Sequence, residues 1–247
     1  DVMAGAIAEA HAQNKQFYIA SNISPHNDKI RSYLRDMAAV IEMQPDALIM
    51  SDPGLIMMVR EKWPEMPIHL SVQANATNYA TVKFWHTQGI VRTILSRELG
   101  LNEIEEIRQH CPEMELEVFV HGSLCITYSG RCLLSGYMNH RDPNQGACTN
   151  ACRWKYNAED ATQTETGDIV PTKMGVVSLK IEGRTKSHYY AARTAQVYRR
   201  AIDNAEAGKP FDVNMMVELD HLASRGYTEG FYRRHVPQET QNYTQSA

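Results

Sequence analysis

The repeat that most limits how this chain can fold is an alternation of short apolar runs with amphipathic helical patterns. The runs are rich in Ile, Val and Leu, and such strands alternating with helices are typical of a parallel sheet covered on both faces. A repeat of roughly 25 residues indicates an α/β fold of the (β/α) TIM-barrel type. Six parallel strands are predicted, at 17–21, 47–51, 68–72, 93–96, 116–120 and 177–181.

Helical patterns occupy the intervals between the predicted strands. Asp52 followed by Pro53 is typical of an N-cap and a first helical position. Asn102, with Glu105 three residues later, predicts a second capped helix start. The predicted helices are 27–42, 53–62, 77–88, 102–110, 186–207 and 213–224.

The predicted barrel is incomplete as numbered. A closed barrel of this type needs eight strands, and here the amphipathic helical pattern over 1–15 has no strand before it. Residues 172–175 have the pattern of a last helical turn with a glycine stop, yet 157–171 is polar and loop-like. We therefore expect segments to be absent at the start and near Val170 and Pro171. The expected organisation is one catalytic domain over 1–235, followed by a tail over 236–247.

Polar residues follow the carboxyl end of every predicted strand. In a (β/α) barrel the active site lies at that rim. Polar residues follow all six strands, which is more than helix capping requires. We therefore expect the functional site at this edge. The residues are Asn22, Ser51, Asp52, Gln73, Asn75, Arg97, Glu98, His121, Glu182 and Arg184.

Four of the five cysteines lie within 28 residues, in the spacing C-x6-C-x15-C-x3-C, inside what we call the cysteine segment, residues 123–154. Clustered cysteines in a chain without a secretion signal favour a metal site over disulfides. Structural zinc sites use tight C-x2–4-C pairs, which only Cys148 and Cys152 approach. The wide spacing therefore favours iron–sulfur over zinc, but only weakly. Because the segment follows the strand ending at His121, we expect it to lie over the rim.

Charge is distributed unevenly along the chain. The formal net charge is −4, so the total does not predict a nucleic-acid partner. The stretch 173–200 carries seven Lys or Arg against one Glu, and a solvated helix face explains this better than a phosphate-binding surface when nothing else is considered. No apolar run approaches membrane-spanning length and no signal peptide is visible, so we expect a soluble, cytoplasmic protein. The oligomeric state stays open.

Several long motifs resemble those of the collagenase-like peptidase family U32. They include SGRCLLSG and GACTNACRW in the cysteine segment and SLKIEGR around the last predicted strand. The resemblance is strongest to the branch that hydroxylates tRNA, forming 5-hydroxyuridine at the wobble position with prephenate as co-substrate. Sister branches hydroxylate ribosomal RNA or serve ubiquinone synthesis. The resemblance also implies a [4Fe–4S] cluster held by Cys125, Cys132, Cys148 and Cys152.

The residues favour an RNA hydroxylase over the peptidase in the family's label. Neither G-x-S-x-G nor H-E-x-x-H is present, and thiolates that hold a cluster cannot also serve as nucleophiles. Prephenate carries two carboxylates, which guanidinium groups bind well, so Arg97 and Arg184 are candidate ligands, with Arg131 third. Arg97 has an equal alternative as a structural ion pair with Glu98. His121 is a candidate acid or base, or a residue hydrogen-bonded at a strand end.

A tRNA substrate gives the basic residues a second interpretation. We expect a basic surface, which also includes Arg131 and Arg184, to receive the anticodon stem-loop. Tyr128, Tyr137 and Trp154 flank the cysteines, where they would shield the cluster or stack on an unpaired base. The remaining residues expected to contact RNA are Arg141, Arg153, Lys155, Lys180, Lys186 and Arg193.

Overall fold

The computed structural model describes residues 2–122, 125, 127–153, 178–182 and 187–222. Within these residues the chain forms one six-stranded sheet and eight α-helices. The strands are β1 (Tyr18–Ser21), β2 (Ala47–Met50), β3 (Ile68–Leu70), β4 (Arg92–Ile94), β5 (Glu115–His121) and β6 (Ser178–Ile181). The helices are α1 (Val2–Ala12), α2 (Asn27–Glu42), α3 (Pro53–Lys62), α4 (Tyr79–Thr87), α5 (Leu101–His110), α6 (Leu134–Asn139), α7 (His188–Glu206) and α8 (Asn214–Asp220).

All six strands are parallel and lie in the sheet in chain order. Connections between parallel strands are right-handed, so an order that never reverses places the connecting helices on one face and curls the sheet. A doubly wound fold would instead reverse its strand order. The described strands therefore form a half-barrel, and the predicted parallel sheet of the (β/α)-barrel type is confirmed.

The boundaries of the elements follow local sequence signals closely. Helices α2 and α3 have the predicted bounds, and each strand agrees with its predicted bounds to within two residues. Asp52 caps α3 as predicted, because its carboxylate accepts a hydrogen bond from the Leu55 N–H at 2.8 Å. The predicted cap of α5 is wrong. That helix begins at Leu101, and the Glu103 carboxylate reaches back to the Gly100 N–H at 2.8 Å, which satisfies the exposed donor without Asn102.

The main hydrophobic core lies between the sheet and helices α2 to α5. Leu48 and Met50 of β2 are fully buried there. Since successive side chains of a strand point to opposite faces, Ile49 lies on the other face, where it packs with Val72, Ile94 and Phe119. This second face, which we call the inner face, is the concave side of the half-barrel.

Helices α7 and α8 pack against each other through a separate apolar cluster. Tyr190 and Val197 of α7 contact Met215 and Leu219 of α8 within it. Within the described ranges, no helix combines the length and apolar character needed to cross a bilayer. The stretch expected to contain a missing segment, 157–173, and the tail 236–247 lie outside the described residues.

Candidate functional site at the carboxyl ends of the strands

The loops that follow β1, β2 and β3 are hydrogen-bonded to one another. The Asn22 side-chain amide donates to the Ser71 hydroxyl at 3.1 Å. The Ser51 hydroxyl donates to the Asn22 carbonyl at 3.2 Å. These residues come from three strands, and the parallel order brings them to one edge, as the sequence predicted.

Arg97 follows β4 and is held by groups from the next two strands. Its side chain is 11% exposed, and Nη2 lies 3.6 Å from a carboxylate oxygen of Glu182, just after β6. Its guanidinium carbon lies 3.8 Å from the centre of the Phe119 ring, a cation–π contact. Arg97 is therefore a largely buried cation at the rim, and Glu182 supplies a carboxylate that sequence order alone could not assign to it.

His121 ends β5 and is buried against helix α7. Its Nε2 lies 2.7 Å from the Tyr190 hydroxyl, and its Nδ1 lies 3.4 Å from the Tyr198 hydroxyl. The Tyr198 hydroxyl itself donates to the Val120 carbonyl at 2.9 Å. These bonds match the strand-end interpretation of His121, and its role as an acid or base stays a prediction. Sequence reasoning missed both tyrosines, although they lie on α7 at helical spacing.

The cysteine segment contacts the loops after β1 and β3. The Ser24 N–H donates to the Asn144 carbonyl at 3.1 Å. The Asn75 side-chain amide donates to the Ser129 carbonyl at 3.0 Å. Gly130, at φ +71°, lies so close to Gln73 that an added Cβ would come within 3.0 Å of the Gln73 Cβ. These contacts join the segment to the strand ends from two sides.

The thiol of Cys125 is influenced by the other three thiols of the cysteine segment. Burial of its thiol raises the pKa of Cys125, although the residue as a whole is exposed. Arg97 opposes that rise in pKa, whereas the thiols of Cys148, Cys152 and Cys132 add to it. The Cys125 thiol therefore lies within electrostatic range of the other three, and thiolates at such a range repel one another unless a cation lies among them.

This donor set fits an iron–sulfur cluster, whose iron atoms prefer thiolate ligands. Across the described ranges, no three His, Cys, Asp or Glu side chains are arranged to hold a single metal ion. The residues that would hold a cluster are the four cysteines that the sequence predicted.

The residues predicted to bind RNA have different surroundings. Arg131 and Arg141 are exposed within the cysteine segment. Lys180 lies on β6 with Nζ 3.5 Å from the Glu117 carboxylate, and Arg193 on α7 lies 2.9 Å from the Glu218 carboxylate of α8. Contact of these two with RNA stays a prediction that requires their ion pairs to open. The side chain of Arg153 lies outside the described residues, as do Lys155, Arg184 and Lys186.

The cysteine segment, which carries Arg131 and Arg141, also has exposed apolar side chains. Tyr128 is 57% exposed and Leu133 is 75% exposed. Such side chains beside guanidinium groups are typical of surfaces that bind single-stranded nucleic acid. Of the other flanking aromatics, the Tyr137 side chain and Trp154 lie outside the described residues.

The inner face carries a charged layer that sequence reasoning missed. Arg92 of β4 pairs with Glu115 at 2.7 Å and lies 3.6 Å from Glu117, which also pairs with Lys180. Beside them, burial is the largest cause that lowers the pKa of His69 to about 4. The only signal in the sequence was that these residues interrupt otherwise apolar strands.

The geometry defines the class of this protein as a (β/α) half-barrel whose strand ends contact a thiol-rich segment. The sequence profile described as peptidase family U32 matches residues 1–242, and the chain belongs to that family, as its motifs predicted. It is 54% identical to tRNA hydroxylation protein P of Escherichia coli over 299 residues, covering 96% of this chain and 66% of that protein. It is 29% identical to the 23S rRNA 5-hydroxycytidine C2501 synthase of E. coli, covering 78% of this chain and 32% of that protein. A solved structure of a U32 peptidase has a TM-score of 0.48 and 13% identity, covering 73% of this chain and 74% of that one.

The chain spans just under two thirds of the length of tRNA hydroxylation protein P. The alignment has 299 positions but takes in only 96% of the 247 residues here, so the relative has extra residues inside the aligned region. That excess agrees with the expectation of an absent internal segment.

Proposed function

We propose that this chain is the (β/α) half-barrel of an enzyme that hydroxylates tRNA, forming 5-hydroxyuridine at the wobble position with prephenate as co-substrate. The observation that carries the proposal is 54% identity to tRNA hydroxylation protein P over 96% of this chain. The identity to the 23S rRNA 5-hydroxycytidine synthase is much lower, at 29% over 78% of the chain. A tRNA substrate is therefore favoured over a ribosomal one.

The cysteine segment is proposed to hold a [4Fe–4S] cluster through Cys125, Cys132, Cys148 and Cys152. Adding oxygen to a pyrimidine ring is a redox reaction that no side chain performs, and the bound cluster would supply the electron chemistry. A cubane binds each thiolate through a different iron atom. It therefore suits a set of four cysteines in which the Cys125 thiol lies within electrostatic range of the other three.

Arg97 is proposed to bind a carboxylate of prephenate. Its guanidinium is largely buried on the Phe119 ring, where a lower local dielectric strengthens attraction to an anion. Glu182 already lies 3.6 Å from this cation. An incoming carboxylate would therefore compete with Glu182, and its binding would loosen the link between the loops after β4 and β6.

The exposed side chains of the cysteine segment are proposed to receive the anticodon loop. Tyr128 would stack on an unpaired base, a contact worth about 1–3 kcal/mol. Arg131 and Arg141 would contact neighbouring phosphates. Because these residues share a segment with the cysteines, RNA bound there would lie beside the proposed cluster.

Nucleoside analysis of RNA tests this function directly. In a strain of the source organism that lacks the gene, we expect 5-hydroxyuridine to disappear from digested tRNA in mass spectrometry. The full-length wild-type gene should restore it, and a gene carrying Cys132→Ser should not.

Three other outcomes would contradict the proposal. Loss of 5-hydroxycytidine from 23S rRNA with unchanged tRNA would assign the ribosomal branch. Loss of ubiquinone alone would assign the quinone branch. Unchanged RNA together with digestion of casein by the purified protein would assign a peptidase.

A further inference from the structure

The side chain of Asn144 binds the main chain of Cys132 in both directions. The Cys132 N–H donates to Asn144 Oδ1 at 3.2 Å, and Asn144 Nδ2 donates to the Cys132 carbonyl at 2.9 Å. Two hydrogen bonds that flank one Cα restrict both of its backbone dihedrals. They therefore restrict the direction of the Cys132 Cα–Cβ bond, from which the thiol extends.

Asn144 is itself anchored to the half-barrel. Its N–H donates to Asp142 Oδ1 at 2.8 Å within a short 3₁₀ turn, Pro143–Gln145. Its carbonyl accepts from the Ser24 N–H at 3.1 Å, and the Gln145 side-chain amide donates to the Ser24 carbonyl. Ser24 lies in the loop after β1, so Asn144 connects Cys132 to a strand end.

A second anchor lies on the other side of Cys132. Asn75, in the loop after β3, donates from Nδ2 to the Ser129 carbonyl at 3.0 Å and to the Gln73 carbonyl at 2.9 Å. The Arg131 N–H donates to the Tyr128 carbonyl at 3.1 Å and closes a turn between this anchor and Cys132. Cys132 is thus held on both sides by hydrogen bonds that involve no thiol.

We propose that Asn144 is a positioning residue that fixes the Cys132 ligand before any cluster is assembled, an inference that rests on the proposed iron–sulfur site. Ordering a loop costs conformational entropy, and here Asn144 would order it during folding rather than during cluster assembly. A carboxamide provides a donor and an acceptor at once. Aspartate retains only the acceptor and alanine retains neither, so the three side chains form a graded series.

The test uses the full-length protein with Asn144→Ala and Asn144→Asp. Asn78→Ala is the matched control, because Asn78 Oδ1 accepts from the Thr81 N–H at 2.9 Å and caps α4 through a comparable hydrogen bond. The first measurement is hydrogen exchange of the peptide containing the Cys132 amide in iron-free protein. The second is the rate at which reconstituted protein loses its iron–sulfur absorbance in air.

Asn144→Ala should remove the protection of this peptide from exchange and speed cluster loss by about tenfold, as expected when a residue that orients a metal ligand is lost. Asn144→Asp should fall between alanine and the wild type, and Asn78→Ala should match the wild type in both measurements. Equal cluster lifetimes in all four proteins would overturn the inference while leaving the cluster intact. A wild-type protein that takes up no iron and sulfide would instead overturn the proposed cofactor, and the inference with it.

Discussion

At the scale of single residues, burial on the inner face disfavours protonation of the His69 ring. The residue is 4% exposed, and its ring packs edge-on against Tyr18 with the ring centres 4.6 Å apart. In the part of the chain that the structure describes, its Nδ1 is buried without a hydrogen-bond partner. Burial and the nearby Arg92 lower the pKa of His69, and Glu117 only partly offsets them.

This residue should make the protein acid-sensitive. The pKa of His69 is about 4 in the folded state, below the usual 6.5, so the unfolded state binds more protons between these values. The stability that depends on neutral His69 is present above pH 6.5 and is lost as the pH falls toward 4, by up to about 3 kcal/mol. In urea unfolding across this window, His69→Gln should flatten the pH dependence. An identical slope in the two proteins would contradict the assignment to His69.

The sequence predicted the position of Arg97 but not its partners. Parallel strands end at one edge, so a residue that follows a strand can be placed at the rim from sequence alone. The pairing with Glu182 and the contact with Phe119 depend on how β4, β5 and β6 are aligned, which local patterns do not specify. The charged layer around His69 was missed for the same reason.

At the scale of elements, the junction between β5 and β6 depends on Gly122. This residue has φ +109°, and an added Cβ would lie 2.5 Å from both the Cβ and the carbonyl oxygen of Glu182. The Glu182 N–H donates to the His121 carbonyl at 2.9 Å and continues the pairing past the strands. Only glycine tolerates both this dihedral and this close approach.

Gly122→Ala should therefore destabilise the protein by on the order of 2–3 kcal/mol, since it adds backbone strain and a clash at the edge of the sheet. Gly5→Ala is the control, because Gly5 lies in α1 with no heavy atom within 4 Å of an added Cβ. That change should stabilise the helix by up to about 1 kcal/mol. Urea unfolding midpoints of the two variants should shift in opposite directions. A Gly122→Ala midpoint equal to that of the wild-type protein would show that the β5–β6 junction relaxes to accept the methyl group.

Helix and strand boundaries could be predicted where the signals are local. Asp52 with Pro53 marks the start of α3 in two residues of sequence, and an apolar run followed by a polar residue marks each strand end. The start of α5 could not be predicted in this way, because Glu103 replaces the usual cap by reaching back to Gly100. The contacts of the cysteine segment with Ser24 and Asn75 also lay beyond prediction, since they join loops distant in the chain.

At the scale of the whole molecule, the proposed RNA surface carries positive charge although the net charge of the protein is negative. The net charge is −4, yet Arg131 and Arg141 are both exposed in the same segment as the exposed Tyr128. Phosphate contacts release counterions, so the proposed binding of tRNA should weaken steeply with salt. The net charge alone did not predict an RNA-binding surface, because the basic residues are concentrated in one part of the chain.

Replacing Arg131 and Arg141 together by Ala should weaken binding to many tRNAs alike. The slope of log K against log salt should fall by about two, one unit for each lost phosphate contact. Arg31→Ala with Arg35→Ala removes the same charge from α2, where the two side chains are 81% and 80% exposed. Filter binding at several salt concentrations should show an unchanged slope for this control. Equal slopes for both double variants would remove the basis for an RNA surface in the cysteine segment.

The strictly sequential strand order has a consequence for the time course of folding. The first four pairings join partners close along the chain, such as Tyr18 with Ala47 and Arg92 with Glu115. The pairing of β5 with β6 joins Glu117 to Ser178 and closes a loop that contains the whole cysteine segment. Because loop closure becomes less probable as the loop lengthens, the first five strands can assemble while the chain is still being synthesised, and β6 docks last. The loop that carries the four thiols therefore closes only in the final step of folding, so the proposed cluster would be able to enter before the sheet is complete.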